Sequence, residues 1–128
     1  MKVTWKDAPE EHDYPAAAAY LSLLLPADAT DAAVTSLRAA ECTARKAKDI
    51  LRASGLALLP KDNPHVAADL DKVHDGKTLS PILLVQGEVR CGRPLLIADG
   101  YHRVCASYWL DENTDIPCRL GTCPELPR

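Results

Sequence analysis

Residues 95–110, with the sequence LLIADGYHRVCASYWL, change in character at their centre. The run LLIAD is short, apolar and ended by a turn residue, which predicts a buried strand. The segment that follows, YHRVCASYWL, predicts a helix over residues 101–110. Asp99-Gly100 therefore marks a strand that passes directly into a helix, and the rest of the chain is interpreted from this junction.

The start of this helix has the features of an anion-binding site. The first N–H groups of a helix have no partner within it, and the positive end of the helix dipole lies beside them. Gly100 lets the backbone approach a ligand closely, and the side chains of His102 and Arg103 reach the oxygens of a phosphate. The spacing predicts a phosphate site on Gly100, Tyr101, His102 and Arg103. The alternative is a plain turn in which Arg103 pairs with Asp99 or with an exposed carboxylate.

Length, composition and charge limit the class of protein. The 128 residues suit one domain, 47% of them are hydrophobic and 26% are charged, and no apolar run is long enough to cross a bilayer. The N-terminus lacks the pattern of an export signal, so we expect a cytoplasmic protein with no membrane partner. The formal net charge of −3 and the lack of a Lys/Arg block provide no general attraction to DNA. The five cysteines are an odd number and predict free thiols.

Residues 1–55 are predicted to form a helical N-terminal part. Asp13 as the N-cap, followed by a run rich in alanine and leucine, predicts a first helix. A second helix is expected after a cap at Asp28 or Thr30. A third helix covers KAKDILRASG and ends at Gly55 as its C-terminal cap.

Residues 56–120 are predicted to form a core of mixed strands and helices. The short run LALLP at 56–60 is bounded by Gly and Pro and predicts a buried strand. Asn63 as a cap, with Pro64 at the first position, predicts a helix. The runs LSPILLVQG, LLIAD and IPCRLG predict three further strands, so the expected order is β-α-β-β-α-β. Residues 121–128 are predicted to be a tail.

From Leu56 to Leu120 the chain resembles the ParB/sulfiredoxin-like superfamily. The resemblance is carried by DNP at 62–64, a helix that ends near DKVHDGK, and the runs LSPILLV, LLIADGYHRVCAS and IPCRL. It implies an α+β fold with a small mixed β-sheet, extended here by the N-terminal helices. In that family the segment that opens the helix holds nucleotide phosphates. The resemblance therefore implies this role for Gly100, His102 and Arg103.

The segment Asp99-Gly100-Tyr101-His102-Arg103 is also similar to the Asp-Gly-His-His-Arg segment of the ADP-dependent free-serine kinases. That likeness implies a catalytic carboxylate at Asp99, as the base that aligns an accepting hydroxyl or as a ligand of Mg²⁺. It implies a domain that binds ATP, ADP or CTP, with phosphotransfer or a nucleotide-dependent switch as its function. Two alternatives stay open. One is a non-catalytic regulatory or protein-interaction module that uses its N-terminal helices, and the other is a ParB-like DNA-binding protein or nuclease.

The helix that begins at Pro64 is a further source of ligands. Family members place basic or hydroxyl side chains on this helix, which implies phosphate contacts from His65 near its start and Lys72 near its end. A solvated surface position is the alternative for Lys72. Tyr101 is expected to stack on a base or to line the rim of the site. A metal site is not predicted, because His102 and the cysteines lack the paired spacing of zinc ligands.

Overall fold

The computed structural model describes residues 1–123 and shows five α-helices around a four-stranded mixed sheet in that part of the chain. The helices are α1 Asp13–Leu21, α2 Ala27–Ala39, α3 Ala47–Ser54, α4 Pro64–His74 and α5 Tyr101–Leu110. The strands are β1 Cys42–Lys46, β2 Ile82–Val85, β3 Leu96–Asp99 and β4 Asp115–Gly121. A short 3₁₀ turn, Val89–Cys91, lies between β2 and β3. The α+β class predicted from the sequence is confirmed.

The sheet has the strand order β1-β4-β2-β3, so β4 and β2 are its central strands. β2 runs parallel to β4 and antiparallel to β3, and β1 runs antiparallel to β4. Leu84 in β2 pairs with Leu120 on one side and with Ile97 on the other. All four residues of β2 are buried, as expected for a strand that is covered on both faces.

Alternate residues of β2 belong to two separate cores. Leu83 and Val85 pack with α1 and α2, whereas Ile82 and Leu84 pack with α3, α4 and α5. Successive side chains of a strand point to opposite faces of the sheet, so one apolar run serves both cores. The sheet therefore lies between two layers of helices.

Two predicted helix caps are confirmed. Gly55 caps α3 with a φ of 70°, a left-handed conformation that glycine adopts without steric cost. The side chain of Asn63 caps α4, where its Oδ1 accepts hydrogen bonds from the backbone N–H groups of His65 at 3.0 Å and Val66 at 3.2 Å. This cap fixes the start of the helix that carries His65.

The caps predicted for α1 and α2 were wrong. His12 and Pro26 hold these N-cap positions, and neither side chain makes a capping hydrogen bond. Asp13 is instead the first residue of α1 and is buried. Its Oδ2 accepts a hydrogen bond from the backbone N–H of Glu10 at 2.9 Å. The carboxylate is therefore directed into the fold rather than onto the N–H groups of its own helix.

Residues 42–46 form β1, a strand that the sequence prediction lacked. Five consecutive residue pairs join it to β4. Four of its five residues are exposed, so the segment has no apolar alternation that would indicate a strand. Its strand conformation comes from the partner strand, and the N-terminal part of the chain is therefore not wholly helical.

The strand predicted at 56–60 was wrong, because these residues belong to no strand. The carbonyl of Ala57 accepts a hydrogen bond from the Tyr101 hydroxyl, and the carbonyl of Leu59 accepts one from the Trp109 indole at 2.8 Å. Side chains of α5 thus satisfy backbone groups that a neighbouring strand would otherwise bind. The observed order after residue 55 is α-β-β-α-β.

The tail predicted at 121–128 overlaps the folded part of the chain. Gly121 is the last residue of β4, and Cys123 is buried in the core formed with α1 and α2. The rest of the predicted tail, residues 124–128, lies outside the described residues. Within residues 1–123, none of the helices has the length and apolar content that crossing a lipid bilayer requires.

Candidate functional site

The junction between β3 and α5 requires glycine at position 100. Gly100 has a φ of 109°, and a Cβ atom there would lie 2.4 Å from Cγ2 of Ile82. No side chain caps α5, and its first backbone bond runs from the N–H of Val104 to the carbonyl of Gly100 at 3.0 Å. The N–H groups of the first helical turn therefore have no hydrogen-bond partner within α5. Such N–H groups at the start of a helix are the ones that bind anions.

Arg103 holds this junction together. Its Nη2 donates to Oδ2 of Asp99 at 2.6 Å, and its Nη1 donates to the carbonyls of Ser80 at 2.7 Å and Pro81 at 3.2 Å. The side chain is only 14% exposed. A guanidinium has five N–H groups, so these bonds use most of its capacity. The alternative considered for Arg103, a pairing with Asp99, is observed, and the role of Arg103 as a phosphate ligand stays a prediction.

Asp99, the predicted catalytic carboxylate, lies between a cation and another acid. Burial raises the pKa of Asp99, the charge and hydrogen bond of Arg103 lower it, and the neighbouring carboxyl of Asp13 raises it further. The side chain is 19% exposed. Asp13 is thus a site neighbour that the sequence prediction treated only as a helix cap. The role of Asp99 as a base stays a prediction, with the added finding that Arg103 already binds one of its oxygens.

Helix α4 brings a second group of polar side chains to the start of α5. His65, Asp69 and Lys72 follow one another at spacings of four and three residues, which places them on one helix face. The ring centroid of His65 lies 4.6 Å from that of His102. The structure therefore brings together two of the predicted phosphate ligands that are far apart in the sequence.

Asp69 is a member of this group that the sequence prediction missed. Burial raises the pKa of Asp69, whereas its electrostatic interactions with Lys72, Arg103, His102 and His65 oppose that rise. The carboxylate thus lies within the electrostatic reach of four cationic or titratable groups. The sequence could have indicated Asp69, because it follows His65 by four residues and so lies on the same face of a helix that was predicted correctly.

His102 is in a partly buried and electrostatically mixed position. Burial lowers the pKa of His102, and the charges of His65 and Arg103 lower it further, while Asp69 opposes them. The neutral imidazole is therefore favoured in the free protein. An anion beside the ring would reverse this preference, because it stabilises the imidazolium form.

Tyr101 and Lys72 are the remaining predicted ligands of this group. The hydroxyl of Tyr101 donates to the carbonyl of Ala57, and its ring centroid lies 5.7 Å from that of His102. The ring of His102 therefore has both Tyr101 and His65 as ring neighbours at the start of α5. Lys72 is exposed, in agreement with the solvated alternative, and its charge acts on Asp69.

The side chains of the candidate site differ in exposure, since His65 and Lys72 are exposed whereas Asp99 and Arg103 are 19% and 14% exposed. A cavity of about 360 Å³ lies elsewhere, between the ends of α1 and α3 and the strand β3, and none of the seven predicted site residues lines it. Within residues 1–123, no three His, Cys, Asp or Glu side chains are arranged to hold a metal ion. All five cysteines are free thiols, and burial raises the pKa of the Cys105 thiol next to the site.

A scan against protein-family models and searches of curated proteins and solved structures found no match to this chain. The resemblance to the ParB/sulfiredoxin-like superfamily stays a prediction from sequence motifs.

Proposed function

We propose that this chain is a nucleotide-phosphate-binding domain of the ParB/sulfiredoxin-like type, with the phosphates of ATP, ADP or CTP at the start of α5. One observation carries the proposal. The imidazoles of His65 and His102, from two different helices, lie 4.6 Å apart beside a helix N-terminus that no side chain caps. In the proposed complex, backbone N–H groups of the first turn and ring N–H groups of both histidines would donate to one phosphate group.

Each group has a distinct task in the proposed complex. Backbone N–H groups of the first turn donate to phosphate oxygens, and His65 and His102 donate through ring nitrogens. Arg103 keeps the junction in shape through its bonds to Asp99 and the carbonyls before β2, and its charge adds to the positive potential. Any Mg²⁺ would enter with the phosphates, because Mg²⁺ is commonly held by one or two carboxylates together with substrate oxygens.

A binding experiment tests the proposal. The melting temperature of the protein is measured with ATP, ADP, CTP and inorganic phosphate, for the native chain and for His102→Ala and His65→Ala. The matched control is His74→Ala, an exposed histidine at the other end of α4. We expect at least one nucleotide to raise the melting temperature of the native and control proteins, and both site variants to lose most of that increase. Equal stabilisation of all four proteins, or no stabilisation by any nucleotide, contradicts the proposal.

Arg103 is unsuited to this test. Its guanidinium binds Asp99 and two backbone carbonyls, so its removal would disturb the junction whether or not a ligand binds there. The histidines are better probes, because neither is in an ion pair within residues 1–123 and His65 is exposed.

A turnover experiment separates phosphotransfer from binding alone. Free serine and Mg²⁺ are added with ATP or ADP, and ³¹P NMR follows the formation of a phosphate ester. A base must accept the proton of the attacking hydroxyl, and Asp99 and Asp69 are the two carboxyl groups proposed for that role. If transfer occurs, Asp99→Asn or Asp69→Asn should abolish it while nucleotide binding persists. Binding without transfer identifies a nucleotide-dependent switch instead.

A further inference from the structure

A second candidate site lies at the free edge of β3, away from the start of α5. Leu96 and Ile97 of β3 belong to opposite cores, and both line the cavity of about 360 Å³. The cavity therefore straddles the edge of the sheet. The ends of α1 and α3 form its other walls, and most of its surface is apolar. Its volume lies at the lower end of the range for sites that bind small molecules.

The mouth of this cavity exposes large apolar side chains. Tyr20, Leu24 and Leu56 are 38%, 52% and 40% exposed, and all three line the cavity. Exposed apolar side chains that are grouped around a concave surface indicate a binding site more strongly than scattered ones do.

Arg93 is the charged residue in the lining of this cavity. Its Nη2 makes one long hydrogen bond, at 3.3 Å, to the carbonyl of Gln86, and its Nε is buried without a hydrogen-bond partner. No carboxylate within residues 1–123 forms an ion pair with it. The acid across the hairpin, Glu88, has both carboxylate oxygens bound by Arg90, at 2.8 Å and 3.0 Å. The charge of Arg93 acts on Glu88, but its two Nη groups carry four N–H donors and make only that one bond, so they retain donors for an acceptor that the described residues do not supply.

We propose that the cavity binds a small apolar monocarboxylate, such as a medium-chain carboxylic acid. Its hydrocarbon chain would lie against Leu24, Leu56 and Leu96, and its carboxylate would accept hydrogen bonds from the guanidinium of Arg93. A single planar cation at the edge of an otherwise apolar cavity matches a ligand with one carboxylate and an apolar body. This site shares no lining residue with the proposed phosphate site, so an experiment that contradicts one proposal leaves the other unaffected.

The test uses octanoate together with octan-1-ol, which has the same chain length without the charge. Calorimetry measures affinity, and ¹H–¹⁵N NMR shifts locate the ligand on the full chain. We expect saturable binding of one octanoate, with shifts at the amides of residues 95–97. Octan-1-ol should bind more weakly by about tenfold or more, since the loss of one charge-assisted hydrogen bond has that effect. Arg93→Met should lower octanoate affinity by a similar factor. Arg52→Met, an exposed arginine outside the cavity, is the matched control and should bind as the native protein does.

A second pair of variants tests the cavity without changing a charge. Leu24→Trp fills a lining position that is half exposed and should therefore fold, and it should block octanoate binding. Leu23→Trp adds the same ring at the neighbouring position, which is 82% exposed and outside the lining, and should leave binding intact. The proposal is overturned if octan-1-ol binds as tightly as octanoate, if Leu24→Trp binds normally, or if the NMR shifts occur at the start of α5 instead.

Discussion

Arg103 shows how one residue type serves either of two roles at the same position. An arginine in the first turn of a helix after a glycine is suited to bind a phosphate and equally suited to pair with the aspartate that ends the strand. In the structure it binds Asp99 and the carbonyls of Ser80 and Pro81, three groups of the protein itself. The choice was decided by carbonyls more than twenty residues away in the sequence, which local spacing does not reveal.

At Gly100, alanine should be strongly destabilising. The substitution combines the strain of a positive φ with a Cβ that would lie 2.4 Å from Ile82, and we expect a loss of about 2–5 kcal/mol in the free energy of unfolding. Gly76→Ala is the control, because Gly76 has a φ of 73° but no heavy atom within 4 Å of the added Cβ. Its loss should be about 1–2 kcal/mol. Urea unfolding measures both, and equal losses would show that the contact with Ile82 is unimportant.

Anion binding at His102 should depend on pH. Burial and the nearby charges lower the pKa of His102 in the free protein, and a bound anion favours the protonated ring. Binding therefore takes up a proton, so affinity should increase as the pH falls from about 8 to about 6. Sulfate is a suitable probe because its own charge is constant over this range. Calorimetry with sulfate should show this trend in the native protein and a weaker one in His102→Gln, whereas an affinity that is constant with pH would contradict it.

Helices and strands were predicted correctly where the local sequence pattern indicates the element. They were predicted wrongly where contacts with a distant segment determine the conformation. The apolar run of β2 and the Asn63-Pro64 start of α4 were recognisable from local sequence, and both are observed. Strand β1 has mostly exposed residues and was missed, because its ladder with β4 makes it a strand. The run at 56–60 is apolar yet lies along α5, where side chains of Tyr101 and Trp109 bind its carbonyls.

Removal of the cap of α4 should weaken both the helix and the proposed anion site. Asn63→Ala takes away the acceptor for the N–H groups of His65 and Val66, and we expect a loss of about 1 kcal/mol in the free energy of unfolding. The first turn, which holds His65, should fray and reduce sulfate affinity. Asn63→Asp retains a capping oxygen and is the control. Urea unfolding and calorimetry should show both losses in the alanine variant only, and unchanged stability of that variant would mean that the cap is dispensable.

For the whole molecule, the sheet is the element that both cores share. Helices α1 and α2 cover one face and α3, α4 and α5 cover the other, while β1 from the N-terminal part pairs with β4 from the C-terminal part. The segment 1–55 is therefore built into the sheet and into both helix layers, although the sequence prediction presented it as a helical extension.

A chain that begins at Leu56 should consequently fail to fold on its own. It would lack β1, the whole layer formed by α1 and α2, and the buried Ile50 of the opposite core. One face of β2, with Leu83 and Val85, would be exposed to water, and burial of such residues is the main source of stability. Thermal unfolding followed by circular dichroism should be cooperative for the full chain and gradual for the shortened one. A cooperative transition in the shortened chain would establish residues 56–120 as an independent unit.

The sequence alone determined the α+β class, the passage from β3 to α5 through glycine, the caps of α3 and α4, and the expectation of an anion site at the start of α5. These features depend on local propensity, on φ preferences and on apolar periodicity, which act between residues close in the chain. Only the tertiary structure decided that β1 joins the sheet, that Arg103 binds the core, that Asp69 and His65 face His102, and that Arg93 lies in an apolar cavity. Each of these depends on contacts between distant segments, and such contacts arise only once two layers of helices have packed against one sheet.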